Sequence, residues 1–252
     1  MMDFRFRHIK TIDSTNAYLQ RLQGTTEISG LVVVADEQTA GKGMGSNGWE
    51  SEIGMNLTFS IAIDMSWLPA AEQFTLSQLV PLGMLEVLDN YLDPEKLSIK
   101  WPNDIYYEGH KLGGILINST IEGSNLSNSI IGIGLNVNQM QFADWPTNPI
   151  SMKMITGKDY GLGPLLEELV THIGNLAEEI REQAQNGLQV RQAIDNRYYA
   201  RLLRYNEWAE YEVASQSIKL FMTGIDKFGR LQLIDEAQQL HTYDIKEIRF
   251  LI

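Results

Sequence analysis

Four strand-like runs follow one another between residues 97 and 137, and this succession restricts the fold more than any other feature of the sequence. The runs are residues 97–101, 105–107, 112–119 and 129–137. Glu108-Gly109 lies between the second and third runs and predicts a tight hairpin turn, because glycine tolerates the backbone angles that a short hairpin loop requires. The middle of the chain is therefore predicted to consist of short strands.

Further elements are predicted on both sides of this region. Residues 31–35 form a continuous apolar, β-branched run that is typical of a buried strand, and residues 56–63 are also strand-like. Asp13-Ser14-Thr15-Asn16 offers several N-cap side chains, so a helix is predicted to begin there and to cover residues 17–23. Apolar spacing predicts three more helices at residues 71–91, 162–184 and 190–203, and residues 144–149 are predicted to be a proline-containing connection.

The pattern changes after Tyr205-Asn206. Short strands are predicted at residues 211–214, 217–224, 231–234 and 245–250, with a turn at residues 226–229. Regularly spaced short strands with turn signals between them indicate a small barrel. We therefore predict two domains, residues 1–205 and residues 206–252.

Composition excludes several classes of protein. The chain of 252 residues contains no cysteine, so disulfides, thiolate metal sites and a cysteine nucleophile are excluded. Its formal net charge of -12 argues against nucleic-acid binding, which requires a basic surface. The N-terminal segment lacks the apolar region of a secretory signal, and the apolar stretches are too short to span a bilayer. We expect a cytoplasmic protein that binds neither nucleic acid nor membranes.

A glycine-rich loop is predicted between residues 36 and 54. Its central part is Gln38-Thr39-Ala40-Gly41-Lys42-Gly43-Met44-Gly45-Ser46-Asn47-Gly48-Trp49. Glycines allow the backbone to approach a ligand, successive N–H groups can form an anion-binding nest, and Lys42 adds a cation. The spacing matches neither a P-loop nor a dinucleotide-binding fingerprint. A ligand-binding loop and a flexible surface loop explain this composition equally well.

Three further segments combine polar residues or glycines with strand ends. They are Lys100-Trp101-Pro102-Asn103-Asp104, Lys111-Leu112-Gly113-Gly114-Ile115-Leu116 and Gly132-Ile133-Gly134-Leu135-Asn136-Val137-Asn138. Glycine inside a strand often marks the close approach of a ligand or of another backbone. Taken singly, each segment has an ordinary structural explanation, namely a solvated turn, a β-bulge, and a strand followed by a turn.

In this order, and preceded by Ser14-Thr15-Asn16, the four segments resemble the biotin protein ligases. The family pattern is a Ser-Thr-Asn opening, a Gly-Arg-Gly-Arg-type loop, a Lys-Trp-Pro-Asn-Asp segment, a Lys-x-x-Gly-Ile strand and a Gly-x-Asn strand end. The resemblance is close over roughly the first half of the chain. It implies an α+β fold, in which a mixed central sheet flanked by helices, related to that of class II aminoacyl-tRNA synthetases, precedes a small SH3-like barrel.

The resemblance also implies a two-step reaction. The carboxylate of biotin attacks the α-phosphate of ATP to give biotinyl-5′-AMP and pyrophosphate, and a specific lysine of a biotin carboxyl carrier domain then attacks the mixed anhydride. Magnesium assists the first step together with the ATP phosphates, without a dedicated cage of protein ligands. The expected partners are ATP, biotin and the carrier domain of acetyl-CoA carboxylase or a related carboxylase, and the expected assembly is a monomer or a homodimer.

The resemblance assigns roles to individual residues. Lys111 lies between the biotin carboxylate and the α-phosphate, and Asp104 orients or deprotonates the incoming lysine. The residues expected to bind biotin are Ser14, Thr15, Asn16, Gln38, Gly41, Lys42, Gly43, Lys111, Gly113 and Gly114. Those expected to bind ATP or the adenylate are Lys42, Met44, Trp49, Asn103, Lys111 and Asn136, with Asn103 also near magnesium. Gly113, Gly114 and Gly134 are expected to leave room for the ligand, and Trp49 to lie beside the adenine.

The glycine-rich loop departs from the family pattern at two positions. Lys42 stands where the family has its first arginine, and a lysine lacks the bidentate geometry of a guanidinium. Met44 stands where the family has a second cation, and a thioether cannot pair with a phosphate. Some family members also carry an N-terminal winged-helix domain that represses transcription. Because almost nothing precedes Asp13 and the charge balance is acidic, we do not expect a repressor role.

Three alternatives stay open. A sister class attaches lipoate or octanoate to lysine on a related fold; its octanoyl transferases use cysteine, which this chain lacks, but an ATP-using lipoate ligase is compatible. A biotin- or adenylate-binding protein that has lost catalysis at Met44 would bind its ligand without releasing pyrophosphate. The third alternative is an α+β domain with a small barrel and no inferable function, and the ordered set of segments argues against it.

Restoring the missing cation tests the assignment of position 44. We expect Met44→Arg to slow the release of biotinyl-5′-AMP, because a guanidinium can pair with the phosphate that the thioether cannot hold. Dissociation of radiolabelled adenylate from the preformed complex after rapid dilution measures this rate. Unchanged or faster release from the variant would contradict the assignment.

Overall fold

The computed structural model describes residues 2–45, 47–143, 148–187 and 189–252, which form two β-sheets and five α-helices. The strands of the first sheet are Arg5–Ile12 (β1), Leu31–Gln38 (β2), Leu57–Asp64 (β3), Leu97–Lys100 (β4), Asp104–Tyr107 (β5), His110–Glu122 (β6) and Asn125–Leu135 (β7). The helices are Thr15–Leu22 (α1), Phe74–Leu88 (α2), Met152–Thr156 (α3), Leu162–Gln185 (α4) and Val190–Tyr199 (α5). None of these helices is long and apolar enough to cross a membrane.

The first sheet is mixed, with the strand order β1-β2-β3-β7-β6-β5-β4. Only β1 and β2 are parallel, and every other neighbouring pair is antiparallel. Parallel neighbours need a crossover connection, and α1 provides it between β1 and β2. The predicted hairpin is confirmed between β5 and β6, where Glu108 and Gly109 have positive φ angles of 45° and 81°.

Helices cover both faces of the first sheet. On one face, Leu19 of α1 packs with Val33, Ala62 and Ile130. Successive strand residues point to opposite faces, so Val32 belongs to the larger core that α2, α4 and α5 cover on the other side. The predicted α+β fold, a mixed sheet flanked by helices, is confirmed.

The second sheet is antiparallel and follows the first in the chain. Its strands are Trp208–Val213 (β8), Gln216–Ile225 (β9), Leu231–Ile234 (β10), Leu240–Tyr243 (β11) and Ile248–Phe250 (β12), in the order β11-β10-β9-β8-β12. Tyr211, Leu220 and Leu231 are buried in the larger core, so the two sheets share one hydrophobic core. The SH3-like closure of this sheet and a domain boundary between residues 205 and 206 stay predictions.

Trp101 joins the two sheets. Its indole Nε1–H donates a buried hydrogen bond to the carbonyl of Gly229, 2.9 Å away in the turn between β9 and β10. Gly229 has a φ of 87°, and a Cβ there would lie 2.5 Å from Cδ2 of Phe74, so this turn position requires glycine. The contact holds the second sheet against the segment that carries Asn103 and Asp104.

The sequence prediction misses β1, β11 and α3. β1 lies at the edge of its sheet and most of its residues are exposed, so it shows no alternation of apolar and polar residues. α3 has five residues and depends on its caps, since Ser151 accepts a hydrogen bond from the N–H of Met154 and Gly157 ends the helix with a φ of 75°.

Several predicted bounds also differ from the observed ones. β2 extends to Gln38, so the glycine-rich loop begins later than residue 36. The helix predicted at residues 71–91 is a 3₁₀ turn, Ala70–Glu72, followed by α2, and the helix predicted at 190–203 ends at Tyr199. Residues 144–147 of the predicted proline-containing connection lie outside the described residues.

Replacing the indole of Trp101 tests how the sheets are joined. We expect Trp101→Phe to lower the free energy of unfolding through two effects. The smaller ring buries less apolar area, and the Gly229 carbonyl is left buried without its donor, which costs about 1–3 kcal/mol in addition. Trp67→Phe is the matched control, since Nε1 of Trp67 is buried and has no hydrogen-bond partner among the described residues. Urea denaturation measures both variants, and equal losses would contradict a stabilising role for the hydrogen bond.

Candidate functional site

A cavity of about 750 Å³ lies between the face of the first sheet that carries α1 and the second sheet. It is lined by the start of α1, the glycine-rich loop, β3, β5, β6, β7 and the segment between β4 and β5. The second sheet contributes the turn after β8, the segment that precedes β12, and β12 itself. A cavity of this size is typical of a site for a small molecule.

The floor of the cavity consists of two rows of residues that cross neighbouring strands, and most of these residues are small. The first row is Thr58, Gly134, Gly114 and Asp104. The second row is Ser60, Gly132 and Leu116. Residues two apart in a strand point to the same face, so both rows belong to one surface. Of the three glycines on this surface, Gly114 leaves the backbone of β6 open to the cavity, whereas Gly132 and Gly134 are covered by other side chains; the expectation that Gly134 leaves room for a ligand is corrected accordingly.

Two of these glycines are in close contact with other side chains. A Cβ at Gly134 would lie 2.2 Å from Cε2 of Trp49, so the indole rests directly against the backbone of β7. A Cβ at Gly132 would lie 2.8 Å from Nδ2 of Asn16. Any side chain at either position would displace the ring or the amide, and contacts within the protein therefore already require glycine there.

Lys111 and Asp104 form an ion pair inside the cavity. Nζ of Lys111 lies 2.7 Å from Oδ1 of Asp104, and the two side chains are 19% and 15% exposed. A bulge in the pairing of β5 with β6 places Lys111 on the same face as Gly114. A Cβ at Gly114 would lie 3.4 Å from Nζ of Lys111. The ammonium is therefore held beside the glycine floor and is largely shielded from water.

Buried polar side chains line the end of the cavity near α1. Oγ1 of Thr15 lies 2.8 Å from Oγ of Ser60 and donates to Oε1 of Gln38 at 3.1 Å, and the Thr15 N–H donates to the same oxygen at 2.7 Å. Nδ2 of Asn16 donates to a β6 carbonyl at 3.3 Å. The parallel pairing of β1 with β2 explains the assembly, because Ile12 lies opposite Gln38 and α1 begins immediately beyond it.

The described residues of the glycine-rich loop fold back on themselves. Lys42 and Gly48 form a β-bridge, the N–H of Gly43 donates to the carbonyl of Asn47 at 2.8 Å, and the N–H of Trp49 donates to a loop carbonyl at 3.1 Å. The N–H groups of Gly43 and Trp49 are therefore used within the loop and do not contribute to an anion-binding nest in this conformation. That the loop binds phosphates stays a prediction. Ser46 lies outside the described residues.

Lys100 is a cation of the cavity that lies in a segment marked by the sequence prediction but was given no role there. Its Nζ lies 5.3 Å from the ring centre of Tyr106 and 5.3 Å from that of Phe250 in the second sheet. Burial lowers the pKa of Lys100; Asp104 opposes this effect, and the positive charge of Lys111 adds to it. An anion bound next to Lys100 would stabilise its charged form.

Most of the predicted site residues line this cavity. They are Ser14, Thr15, Asn16, Gln38, Lys42, Gly43, Met44, Trp49, Asn103, Asp104, Lys111 and Gly114, together with Gly134. The fold thus brings segments that are far apart in the sequence to one place. Their assignment to biotin or to the adenylate stays a prediction.

Two predicted glycines lie outside the cavity lining. A Cβ at Gly41 would lie 2.3 Å from the carbonyl oxygen of Trp49, and a Cβ at Gly113 would lie 2.9 Å from that of Gly134. Gly113 directly precedes the floor position Gly114 and therefore faces the opposite side of the sheet. Each is needed for close packing of backbones, so the structure corrects the prediction that Gly113 leaves room for a ligand, whereas the predicted contact of Gly41 with biotin stays a prediction.

Asn136 also lies outside the cavity lining, and its side chain binds the backbone. Nδ2 of this buried residue donates to the carbonyl of Ile150 at 3.1 Å and to that of Lys111 at 3.4 Å. The predicted direct contact with the adenylate or magnesium is corrected accordingly. Asn136 instead supports the start of the strand that carries Lys111.

Several cavity residues were given no role in the sequence prediction, although Lys100 and Gly132 lie within two of its segments. From the first sheet these are Thr58, Ser60, Lys100 and Gly132, and from the second sheet they include Ala214, Ser215, Lys246 and Arg249. A local signal exists for Thr58 and Ser60, because two hydroxyl residues two positions apart interrupt an otherwise apolar strand. The second-sheet residues have no local signal, since their position depends on how the two sheets pack.

The cavity is locally positive in an acidic chain. Among the described residues, its lining contains five cations, Lys42, Lys100, Lys111, Lys246 and Arg249, and three carboxylates, Asp104, Glu212 and Glu247. The whole chain has a formal net charge of -12. A concave site with an excess of positive charge favours an anionic ligand.

Comparison with known sequences identifies the region that carries these residues. A model of the biotin/lipoate A/B protein ligase family matches residues 8–136. The bifunctional ligase/repressor BirA of Escherichia coli is 37% identical over 129 residues, which cover 51% of this chain and 39% of that protein. The biotin--protein ligase of Homo sapiens is 27% identical over 226 residues, which cover 86% of this chain and 30% of that protein. The chain thus spans less than half the length of these relatives.

Solved structures resemble the chain over nearly its whole length. Biotin protein ligase from Aquifex aeolicus in complex with biotin and ATP has a TM-score of 0.75 at 23% identity, covering 98% of this chain and 99% of that chain. Biotin acetyl coenzyme A carboxylase synthetase from Helicobacter pylori with bound biotinylated ATP has a TM-score of 0.61 at 21% identity. The match covers 96% of this chain and 100% of that chain. At these identities the similarity shows a shared fold.

Adding a single methyl group tests the contact between Trp49 and the cavity floor. We expect Gly134→Ala to displace the indole of Trp49, because the new Cβ would lie 2.2 Å from Cε2. Tryptophan emission should shift to longer wavelength, and this shift should be absent when Trp49→Phe is introduced as well. Gly163→Ala is the matched control, since no described atom lies within 4 Å of a Cβ there. An unchanged spectrum for Gly134→Ala would contradict the contact.

Proposed function

Because the chain belongs to the biotin/lipoate A/B protein ligase family, we propose that it activates biotin with ATP and transfers the biotinyl group to a lysine of a biotin carboxyl carrier domain. That domain would be part of acetyl-CoA carboxylase or a related carboxylase. Relatives named as biotin ligases support the choice of biotin. The structural observation that carries the proposal is the ammonium of Lys111, held beside a glycine floor in a locally positive cavity.

The first step must bring two anions together. A carboxylate oxygen of biotin bonds to the α-phosphorus of ATP while the bond from that phosphorus to the bridging oxygen breaks and pyrophosphate leaves. Negative charge grows on the phosphoryl oxygens, and a fixed cation in a poorly hydrated place stabilises it without having to reorganise. Lys111 would provide that cation, because its side chain is only 19% exposed and lies next to the open surface at Gly114.

Asp104 would contribute to both steps through its ion pair with Lys111. The pair, at 2.7 Å, holds the ammonium in position before a phosphate competes for it. Once the ammonium turns to the phosphate, the carboxylate is free to orient the carrier lysine or to accept its proton. The neutral amine then attacks the acyl carbon of biotinyl-5′-AMP, the acyl–oxygen bond breaks, and AMP leaves.

The polar end of the cavity would bind the ureido ring of biotin. Thr15, Gln38 and Ser60 already satisfy one another with hydrogen bonds. A ligand must therefore replace some of these bonds, and each buried group that it left unpaired would cost about 1–3 kcal/mol. A ring with both donors and acceptors fits this requirement better than an apolar chain does.

Asn103 and Asp104 are the residues that would accommodate a magnesium ion entering with the ATP phosphates. Magnesium prefers oxygen ligands and is commonly held by one or two carboxylates together with substrate phosphates. Both side chains line the cavity, and Asn103 is fixed because its Nδ2 donates to the carbonyl of Ile115. When bound, the ion would supply additional positive charge at the phosphates.

Release of pyrophosphate tests the proposed reaction. We expect release from ATP and Mg²⁺ to require biotin, and lipoate not to replace it. Lys111→Ala should reduce the rate at least about 100-fold, because it removes the cation that stabilises the transition state. Lys96→Ala is the matched control, since Lys96 also pairs with a carboxylate, that of Glu108 at 2.9 Å, but lies outside the cavity.

Each other outcome has a distinct meaning. Release that depends on lipoate would assign the protein to the sister class of ligases. Biotin binding without any release of pyrophosphate would support a binding protein and contradict catalysis. Equal rates for Lys111→Ala and Lys96→Ala would remove Lys111 from the reaction.

A further inference from the structure

The glycine-rich loop lacks a cation at Met44, but a lysine of the second sheet lies against the same loop. Lys246 belongs to the connection between β11 and β12 and lines the cavity. Its Cε lies 3.7 Å from the position that a Cβ would occupy at Gly45, which directly follows Met44. The side chain therefore reaches the loop at the place where the loop's own sequence provides a thioether.

The environment of Lys246 leaves its charge available. No carboxylate among the described residues lies within ion-pair distance of its Nζ, whereas Lys111 is paired with Asp104 and Arg249 with Glu212. The adjacent Glu247 accepts a hydrogen bond from the N–H of Asp244 at 2.8 Å. The loop's own cation is Lys42, and Lys246 lies against the loop. Neither is within ion-pair distance of a described carboxylate.

We propose that Lys246 supplies the second phosphate-binding cation of this site, in place of the cation missing at Met44. The inference rests on the proposed function and specifies its nucleotide subsite: the loop provides one cation, Lys42, and the second sheet provides the other. The ligand would be the polyphosphate of a nucleoside triphosphate, held between the loop and the second sheet.

The chemistry of lysine fits this arrangement. An ammonium acts as a compact point charge on a flexible stem, so it can follow a phosphate without the planar geometry that a guanidinium requires. The stem of Lys246 lies in van der Waals contact range of the loop at Gly45. A polyphosphate bound there would contact both parts of the protein at once and would hold the loop against the second sheet.

Binding of nucleotides that differ in phosphate number tests this proposal. The probes are AMP and α,β-methylene-ATP, which cannot release pyrophosphate, titrated calorimetrically with Mg²⁺ and saturating biotin. We expect Lys246→Ala to weaken α,β-methylene-ATP binding about three- to tenfold, because one charge-assisted contact is lost, and to leave AMP binding unchanged. The loss should shrink as salt is added, since the cation is exposed.

Two further variants make the test specific. Lys219→Ala is the matched control, because Lys219 is an exposed lysine of β9 that lies outside the cavity, and we expect it to change neither affinity. In a Met44→Arg background, Lys246→Ala should have little effect, because the arginine supplies the charge from within the loop. Such a double-mutant cycle separates a shared electrostatic role from general damage to the fold.

The outcomes distinguish this inference from the proposed function. Equal affinities of Lys246→Ala and Lys219→Ala for the triphosphate analogue, with a wild type that binds it, would overturn the role of Lys246 alone. Equal weakening of AMP and of the analogue would also overturn it, because the lost contact would not involve the polyphosphate. A wild type that binds neither nucleotide would overturn the proposed function and this inference together.

Discussion

The pairing of Gly114 with Gly134 across β6 and β7 is the constraint on which the rest of the site depends. Glycine weakens a strand, because it has no side chain to pack and loses more conformational freedom on folding than other residues. Here the loss is limited to one face. On the opposite face, Ile115 and Ile133 are paired in the next row and buried in the larger core. The same two strands therefore stabilise the sheet on one side, and on the other they give space to the indole of Trp49 at Gly134 and to the cavity at Gly114.

The site also depends on the contact between the two sheets. The shared core and the hydrogen bond from Trp101 to Gly229 fix the position of the second sheet, and the second sheet forms one wall of the cavity. Lys100 is stabilised by rings from both sides, Tyr106 in the first sheet and Phe250 in the second. A substitution that loosened the interface would therefore change the cavity without altering any residue that touches a ligand.

The sequence could predict those parts of the molecule that local chemistry determines. The hairpin at Glu108-Gly109 requires positive φ angles, and the motif residues Asp104 and Lys111 meet because adjacent strands carry them. The sequence could not predict which glycines face the cavity. A bulge in β6 determines the side of the sheet to which they point, and a bulge has little effect on composition. Nor could it predict β1, an exposed edge strand whose position depends on pairing with β2.

Contacts between distant segments could not be predicted from sequence patterns for a related reason. Lys246 approaches Gly45 only because the two sheets pack together, and nothing in the residues around either position indicates the other. Asn136 shows that a motif residue can instead have a structural role. The motif predicts a ligand contact, but the side chain donates to two backbone carbonyls. A motif thus identifies the region of a site more reliably than the task of each residue.

The contrast between a positive cavity and an acidic chain has a kinetic consequence. At distances beyond about 8 Å in physiological salt, charges are largely screened, and at lower ionic strength an approaching polyphosphate would sense the overall charge of -12 as repulsion. Inside the cavity, five cations outweigh three carboxylates among the described residues. Added salt should therefore make the arrival of a polyphosphate faster and its departure faster too. At low ionic strength, anions would therefore enter the cavity slowly and, once beside the lysines, leave slowly, so residence time would discriminate between anions more than encounter rate does.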